Sequence, residues 1–272
     1  MKQNLLIFID FSRKLIKNRD MLKTMALREM KARYVGSFFG IFWAMLNPLF
    51  LVAIYGVIFG VFLGSRPDPV YGTENFFVYL VCGLLPFLFL SESVNATARA
   101  IVGNSNLVKK AVGFPSEVLP LVKVISNLIN HVIAMGVLLV IIVVLTGNIS
   151  PFLPLIFVYM FFTAVFAVGL GWVVSSLNVY LRDVQQVLSL VIRAWFFFTP
   201  IFYSTSAIPE RILPIMKLNP MYHVVDGYRY LLLTDSLPPL SNIVTLFVIS
   251  FIVLGIGGVF FRKLKPGFAE VL

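Results

Sequence analysis

The chain has 272 residues, 59% of them hydrophobic and only 12% charged, where soluble domains carry roughly 25% charge. So much apolar surface, with a mean hydropathy of +0.94, excludes a soluble domain; at roughly 20 apolar residues per crossing the length suits about six membrane helices. The net charge of +10 does not signal nucleic acid, because the basic residues sit at the ends of apolar stretches and are not interleaved with aromatics, and the single cysteine, Cys82, excludes an internal disulfide.

Residues 1–35 are amphipathic. Leu5, Phe8, Ile9, Leu15 and Ile16 recur near helical spacing, with Asp10, Arg13, Lys14 and Lys17 opposite. The apolar run Leu5–Ile9 is too short for the core of a signal peptide. After a break at Asn18-Arg19-Asp20, Met21–Tyr34 reads as a second helix whose apolar stripe is interrupted by Glu29 and Arg33. The pattern predicts a helix lying in the membrane interface, or a plain positive-inside segment.

Six spans follow, over about 37–63, 75–102, 119–146, 152–180, 184–203 and 243–261. Nine Lys and Arg lie in residues 1–35; Arg99, Lys109, Lys110, Lys123, Arg182, Arg262, Lys263 and Lys265 fall on the same side. Only Arg66, Arg211, Lys217 and Arg229 fall on the other. The bias predicts that both termini are cytoplasmic. The chain thus divides into an interface segment (1–35), a six-span domain (36–262) and a C-terminal tail (263–272). Gly56, Gly60 and Gly64 form a small-residue series suited to close helix packing or to a dimer face. The segment 204–242 carries Ile208-Pro209, Asn219-Pro220 and Pro238-Pro239 around apolar pieces too short to span, which predicts re-entrant or interfacial half-helices.

The most informative loop is Gly103–Pro120, between the second and third spans. It is polar at its start, basic at Lys109 and Lys110, and punctuated by Gly113, Pro115 and Pro120, a build that suits a short helix presented to a cytoplasmic partner. The chain has no Gly-Lys pair to end a phosphate-cradling loop, no His-Glu-x-x-His, and only two histidines. It therefore offers neither an ATP site nor a metal site of its own. His131 lies near Asn127 and Asn130 in the third span, as a hydrogen-bonded patch between helices or a proton relay. His223 lies in the external segment, where a ligand contact is one reading. Glu92 and Arg193 are charges within spans, facing a pore or paired structurally. The aromatics Trp43, Tyr55, Trp195 and Phe198 are candidates to line a sugar path by stacking, against the common fate of packing between helices.

Four stretches resemble a known family. They are Arg28-Glu29-Met30-Lys31-Ala32-Arg33-Tyr34 running on to Pro48; Asn104–Pro120, with Asn106-Leu107-Val108-Lys109-Lys110 and Phe114-Pro115; Leu177-Asn178-Val179-Tyr180-Leu181-Arg182-Asp183-Val184; and Thr199-Pro200-Ile201-Phe202-Tyr203 followed by Leu218-Asn219-Pro220. In this order they are similar to the membrane subunit of type-2 ABC exporters, in the branch that exports O-antigen, capsule or teichoic acid. The resemblance implies an all-α integral membrane protein of the bacterial inner membrane, a homodimer with a channel at its interface, and re-entrant external helices between the fifth and sixth spans.

It further implies a separate cytoplasmic ATPase that binds ATP and Mg, with no cofactor on this chain. The main contact to that ATPase would use Asn106, Leu107, Lys109, Lys110, Phe114, Pro115 and Glu117. Arg182 and Asp183 would make a smaller second contact. Arg28, Lys31 and Arg33 would meet the pyrophosphate of an undecaprenyl-linked glycan, by charge-assisted hydrogen bonds. A drug or small-lipid exporter of the same fold is the alternative substrate class. A third class is a non-transporting membrane scaffold, which should tolerate alanine at both Lys109 and Lys110, or an enzyme acting on polyprenyl lipids, which would need clustered acids that the twelve Asp and Glu do not form.

Overall fold

The structure, a computed structural model, describes residues 19–110, 114–147 and 149–272. The amphipathic pattern over residues 1–18 and the centre of the Gly103–Pro120 loop lie outside them. Among the described residues there is no strand. The first described helix, α1 (Arg19–Tyr34), has Asp20 in its first turn and Lys31 and Arg33 in its last, which complements the helix dipole. One stripe of α1, Leu22 and Ala26, packs on Val118 and Val122. Glu29, next on that stripe, is paired with Lys123 at 2.5 Å. The apparent flaw in the apolar pattern is thus a packing contact with a partner.

The first span is α2 (Trp43–Tyr55), which continues as a π-helical stretch over Gly56–Phe62. Gly56 and Gly60 lie against the rings of Phe77 and Phe76, and a Cβ on either would sit 2.2 or 2.7 Å from them. These two glycines serve packing inside the subunit, while Gly64 has a φ of +62° just beyond the helix. The central helix α3 (Phe76–Ala98) starts where Asn75 accepts hydrogen bonds from the amides of Phe77 and Val78. It is the most buried of the long apolar helices. A short α4 (Ser105–Lys110) follows, then α5 (Val118–Thr146) and α6 (Ile156–Tyr180).

The fifth predicted span is shorter than expected. Helix α7 (Val184–Phe197) has 14 residues, about 21 Å at 1.5 Å per residue, short of a bilayer core of about 30 Å. Pro200 ends it, because a residue before proline avoids helical backbone. The chain then continues irregularly to α8 (Leu213–Met216) and α9 (Pro220–Leu233). The last span, α10 (Leu240–Leu264), packs most extensively on α6, where a Cβ on Gly257 would sit 2.2 Å from the Gly169 carbonyl oxygen. Small residues let the two backbones touch. A final turn, α11 (Phe268–Val271), closes the described chain. Among the described residues, five helices are long and apolar enough to cross a membrane, with α7 as a shorter apolar helix.

Candidate functional site

A polar cleft of about 440 Å³ opens between α1, α2, α3 and α5. Helical spacing builds each wall. On α3, Leu88, Glu92 and Asn95 recur along one face that Arg99, its C-terminal cap, continues; on α5, Asn127, Asn130, His131 and Ala134 do the same. Arg33 comes from the end of α1, on the Leu22–Ala26–Glu29 stripe, and Trp43 and Asn47 come from α2. Rise along the helices orders the cleft in depth. Arg33 and Arg99 lie at the loop end; Glu92 lies about 10 Å deeper along α3, and Asn127 about 13 Å into α5. Glu92 is exposed into this space, although its helix is otherwise largely buried.

The cleft has an ordered floor. His131 is 4% exposed; its Nε2 lies 2.9 Å from the Tyr228 hydroxyl and its ring stacks on Phe89 at 5.1 Å. The expected hydrogen-bonded patch is therefore only partly satisfied. Asn127 is 2% exposed, and neither its Oδ1 nor its Nδ2 has a partner among the described residues. Arg28 and Lys31 do not line the cleft; of the three residues expected to meet pyrophosphate, only Arg33 does.

At the end of the bundle that carries α4, the described residues form a braced surface. Asn106, Leu107 and Lys109 are exposed on α4, as are Arg182 and Asp183 in the next connection at this end. The side chain of Lys110 lies outside the described atoms. Phe114 and Pro115 are half-buried. Glu117 is turned inward instead of outward: it is 4% exposed, its carboxylate is 2.5 Å from Lys265 Nζ, and its carbonyl accepts from Trp172 Nε1 at 3.1 Å. The tail packs back onto the bundle. Phe268 is buried between Phe261 and Tyr180, at ring distances of 5.4 and 6.2 Å, and α11 touches α4. The Tyr180 hydroxyl donates to the Leu264 carbonyl at 2.8 Å. The tail thus ties both exposed loops together, a role that nothing in its composition signals.

At the opposite end, the irregular backbone after α7 is held from within. Arg229 is fully buried; Nη1 donates to the Pro200 carbonyl and Nη2 to the Ile201 carbonyl, each at 2.8 Å, and the guanidinium lies 3.5 Å from the Tyr79 ring centroid. This arginine is an internal strut, not the loop charge that the sequence suggests. Asn219 caps α9 by accepting from the Met221 amide, and also receives Trp195 Nε1 at 2.7 Å. Trp195 therefore points into the subunit, edge-on to Phe87 and Phe166. Tyr55 likewise packs on Phe196 and Phe202. Trp43 is exposed at the cleft, and Phe198 lines a separate apolar cleft of about 610 Å³ with Tyr203 and Ile212. The four aromatics are not brought together.

His223 is buried, between Asn242 Oδ1 and the Lys217 carbonyl, so it serves the scaffold of this end. Asp226 accepts from the Tyr71 hydroxyl and from Asn242. In the 63–75 loop, Asp68 accepts from Ser204 at 2.5 Å, from Thr205 at 2.7 Å, and from the amides of Val70 and Ser206. Burial pushes its carboxyl pKa up, but these four bonds outweigh that and hold it below the usual carboxylate value. Arg193 is exposed on α7, on a stripe with Gln186, Leu190 and Phe197.

Residues 21–233 match the family described as ABC-2 type transporter. The chain is 31% identical over 264 residues to the O-antigen export system permease protein RfbA of Myxococcus xanthus, covering 95% of this chain and 97% of that one. It is 30% identical over 257 residues to the RfbA protein of Klebsiella pneumoniae, at 93% and 95% coverage. It is 26% identical over 215 residues to the polysialic acid transport protein KpsM of Escherichia coli, at 76% and 79%.

Proposed function

The chain belongs to the ABC-2 type transporter family, and we propose that it is the permease subunit of a bacterial polysaccharide exporter that moves an O-antigen-type glycan on a polyprenyl pyrophosphate carrier. The near full-length likeness to the O-antigen export permeases carries this reading. A capsule-type glycan is the second reading, supported by the lower likeness to a polysialic acid transport protein. Both termini and the braced loop surface face the cytoplasm in this proposal, in keeping with the basic bias of that end.

ATP is hydrolysed on a separate subunit that docks on Asn106, Leu107, Lys109, Arg182 and Asp183. Closure of two such subunits moves the permease only through elements that do not yield. The Glu117–Lys265 tie and the Phe268 anchor support that role, because they join both loops to α6 and α10. A second copy of the chain completes the path. A membrane arginine faces a bundle interior or water much more readily than lipid, so the Arg193 stripe of α7 lines the route between the two copies. Arg33 and Arg99, at the loop end of the cleft, meet the pyrophosphate as it leaves the inner leaflet.

Deletion of the gene tests the reading. Loss of surface glycan with the lipid-linked glycan accumulating inside, restored by the wild-type chain but not by Leu107→Asp, is the expected result. Unchanged surface glycan with altered drug tolerance would instead assign the chain to small amphiphiles.

A further inference from the structure

The cleft contains more chemistry than a phosphate needs. Pyrophosphate binding requires donors and positive charge, which Arg33 and Arg99 supply at the loop end. Deeper in, the chemistry changes. Glu92 is an acceptor that repels phosphate; Asn95, whose Nδ2 donates to the Ser91 carbonyl at 2.9 Å, offers its Oδ1 and a second amide hydrogen, and Asn127 offers a whole amide, able to donate and accept. A carboxylate beside amides matches vicinal hydroxyls: a hydroxyl donates to Glu92 and both donates to and accepts from an amide. The aromatic edge of the cleft is Trp43, which is 41% exposed.

Asn127 is the second, independent sign of a ligand. A buried amide without partners costs folding free energy, and such groups are rare enough in folded proteins that each calls for a cause. Asn127 is 2% exposed, lines the cleft, and has no partner for either polar atom among the described residues. Behind it, His131 is fixed by Tyr228 and Phe89, so the floor is rigid and polar. The volume of about 440 Å³ falls within the ~300–1,000 Å³ range of small-molecule sites.

We propose that the inner part of this cleft, Glu92, Asn95 and Asn127, is a sugar-reading site that binds the glycosyl unit next to the pyrophosphate of the cargo. All three residues come from one protomer. It selects glycan-bearing carrier over bare carrier before translocation begins. The proposal rests on the reading of the cargo as a lipid-linked glycan.

The test measures equilibrium binding of two probes to the full chain in lipid nanodiscs: a short polyprenyl pyrophosphate bearing one hexose, and the same lipid without the sugar. The wild type should bind the sugar-bearing lipid about tenfold more tightly, the worth of one to two hydrogen bonds. Asn127→Leu and Glu92→Gln should each reduce that preference severalfold without changing affinity for the bare lipid, whereas Arg33→Ala should weaken both. Equal wild-type affinity for the two lipids, or a preference untouched by both Asn127→Leu and Glu92→Gln, overturns the sugar site and leaves the export reading standing. The wild-type comparison needs no variant to fold. If neither lipid binds the wild type, the reading of the cargo falls as well.

Discussion

Replacing Arg229 by methionine should loosen the end of the bundle that lies beyond α7. The guanidinium makes two charge-assisted bonds of 2.8 Å to the carbonyls of Pro200 and Ile201 and lies 3.5 Å from the Tyr79 ring centroid. Bonds of that kind are worth about 1.5–3 kcal/mol each, and a desolvated cation–π contact about 2 kcal/mol. Against them stands the cost of burying the charge, which methionine no longer bears. The carbonyls left behind are not helical and accept no backbone hydrogen bond among the described residues, so the net loss is about 4 kcal/mol. In a chain of this size that is a fall of roughly 10 °C in melting temperature, read by fluorescence-detected size exclusion after heating in detergent. Arg229→Lys should recover less than half, because one ammonium cannot present the planar pair of donors that reaches both carbonyls. Gly83→Ala should act in the same direction, since its Cβ would sit 2.9 Å from Arg229 Nη2. A methionine variant that melts with the wild type and still exports would refute the claim that this arginine supports the irregular segment.

Other outcomes follow from the packing. Gly257→Ala should force α6 and α10 apart, since its Cβ would meet the Gly169 carbonyl at 2.2 Å; a loss of about 3 kcal/mol, at the upper end for overpacking, would appear as reduced yield and a lowered melting temperature. Phe268→Ala should cost about 3 kcal/mol by opening the cavity between Tyr180 and Phe261, and limited proteolysis should then cut the 103–120 loop faster. Asp68 is held deprotonated by four hydrogen bonds, with its pKa below the ordinary 3.8. Its contribution is complete above that value and is lost as the pH falls through the lower folded value. The wild type should therefore lose more melting temperature than Asp68→Asn between about pH 6 and about pH 3.

The spans were readable because about 20 apolar residues in a row leave little choice of structure. The expected start of the second span at residue 75 falls one residue before Phe76, and Asn75 is a cap that the sequence displays. The fifth span is shorter than hydropathy suggests, because the apolar residues Phe198–Tyr203 lie beyond the helix end at Phe197. What makes irregular backbone tolerable there is Arg229, which follows 28 residues later and looks like a loop charge. The cleft was visible only in fragments: Arg33 as a flaw in a stripe, Glu92 as a lone intramembrane charge, Asn127 and His131 as a patch. Each pattern lies on its own helix, and no periodicity within one helix says that three of them converge. Trp195 went the other way, since an aromatic run gives no sign of which ring will find Asn219.

The tie between Glu117 and Lys265 joins residues 148 positions apart, and this separation has a meaning in time. At about 5–20 residues per second, the ribosome makes the loop roughly 7–30 s before it makes the lysine. For that interval the loop has emerged but its brace has not been synthesised. In the proposed assembly, an ATPase arriving early would meet a compliant surface, and one arriving after α10 has been threaded a stiff one. If the ATPase docks there as proposed, the order of synthesis would set the order of assembly, and a permease still being made could not be driven.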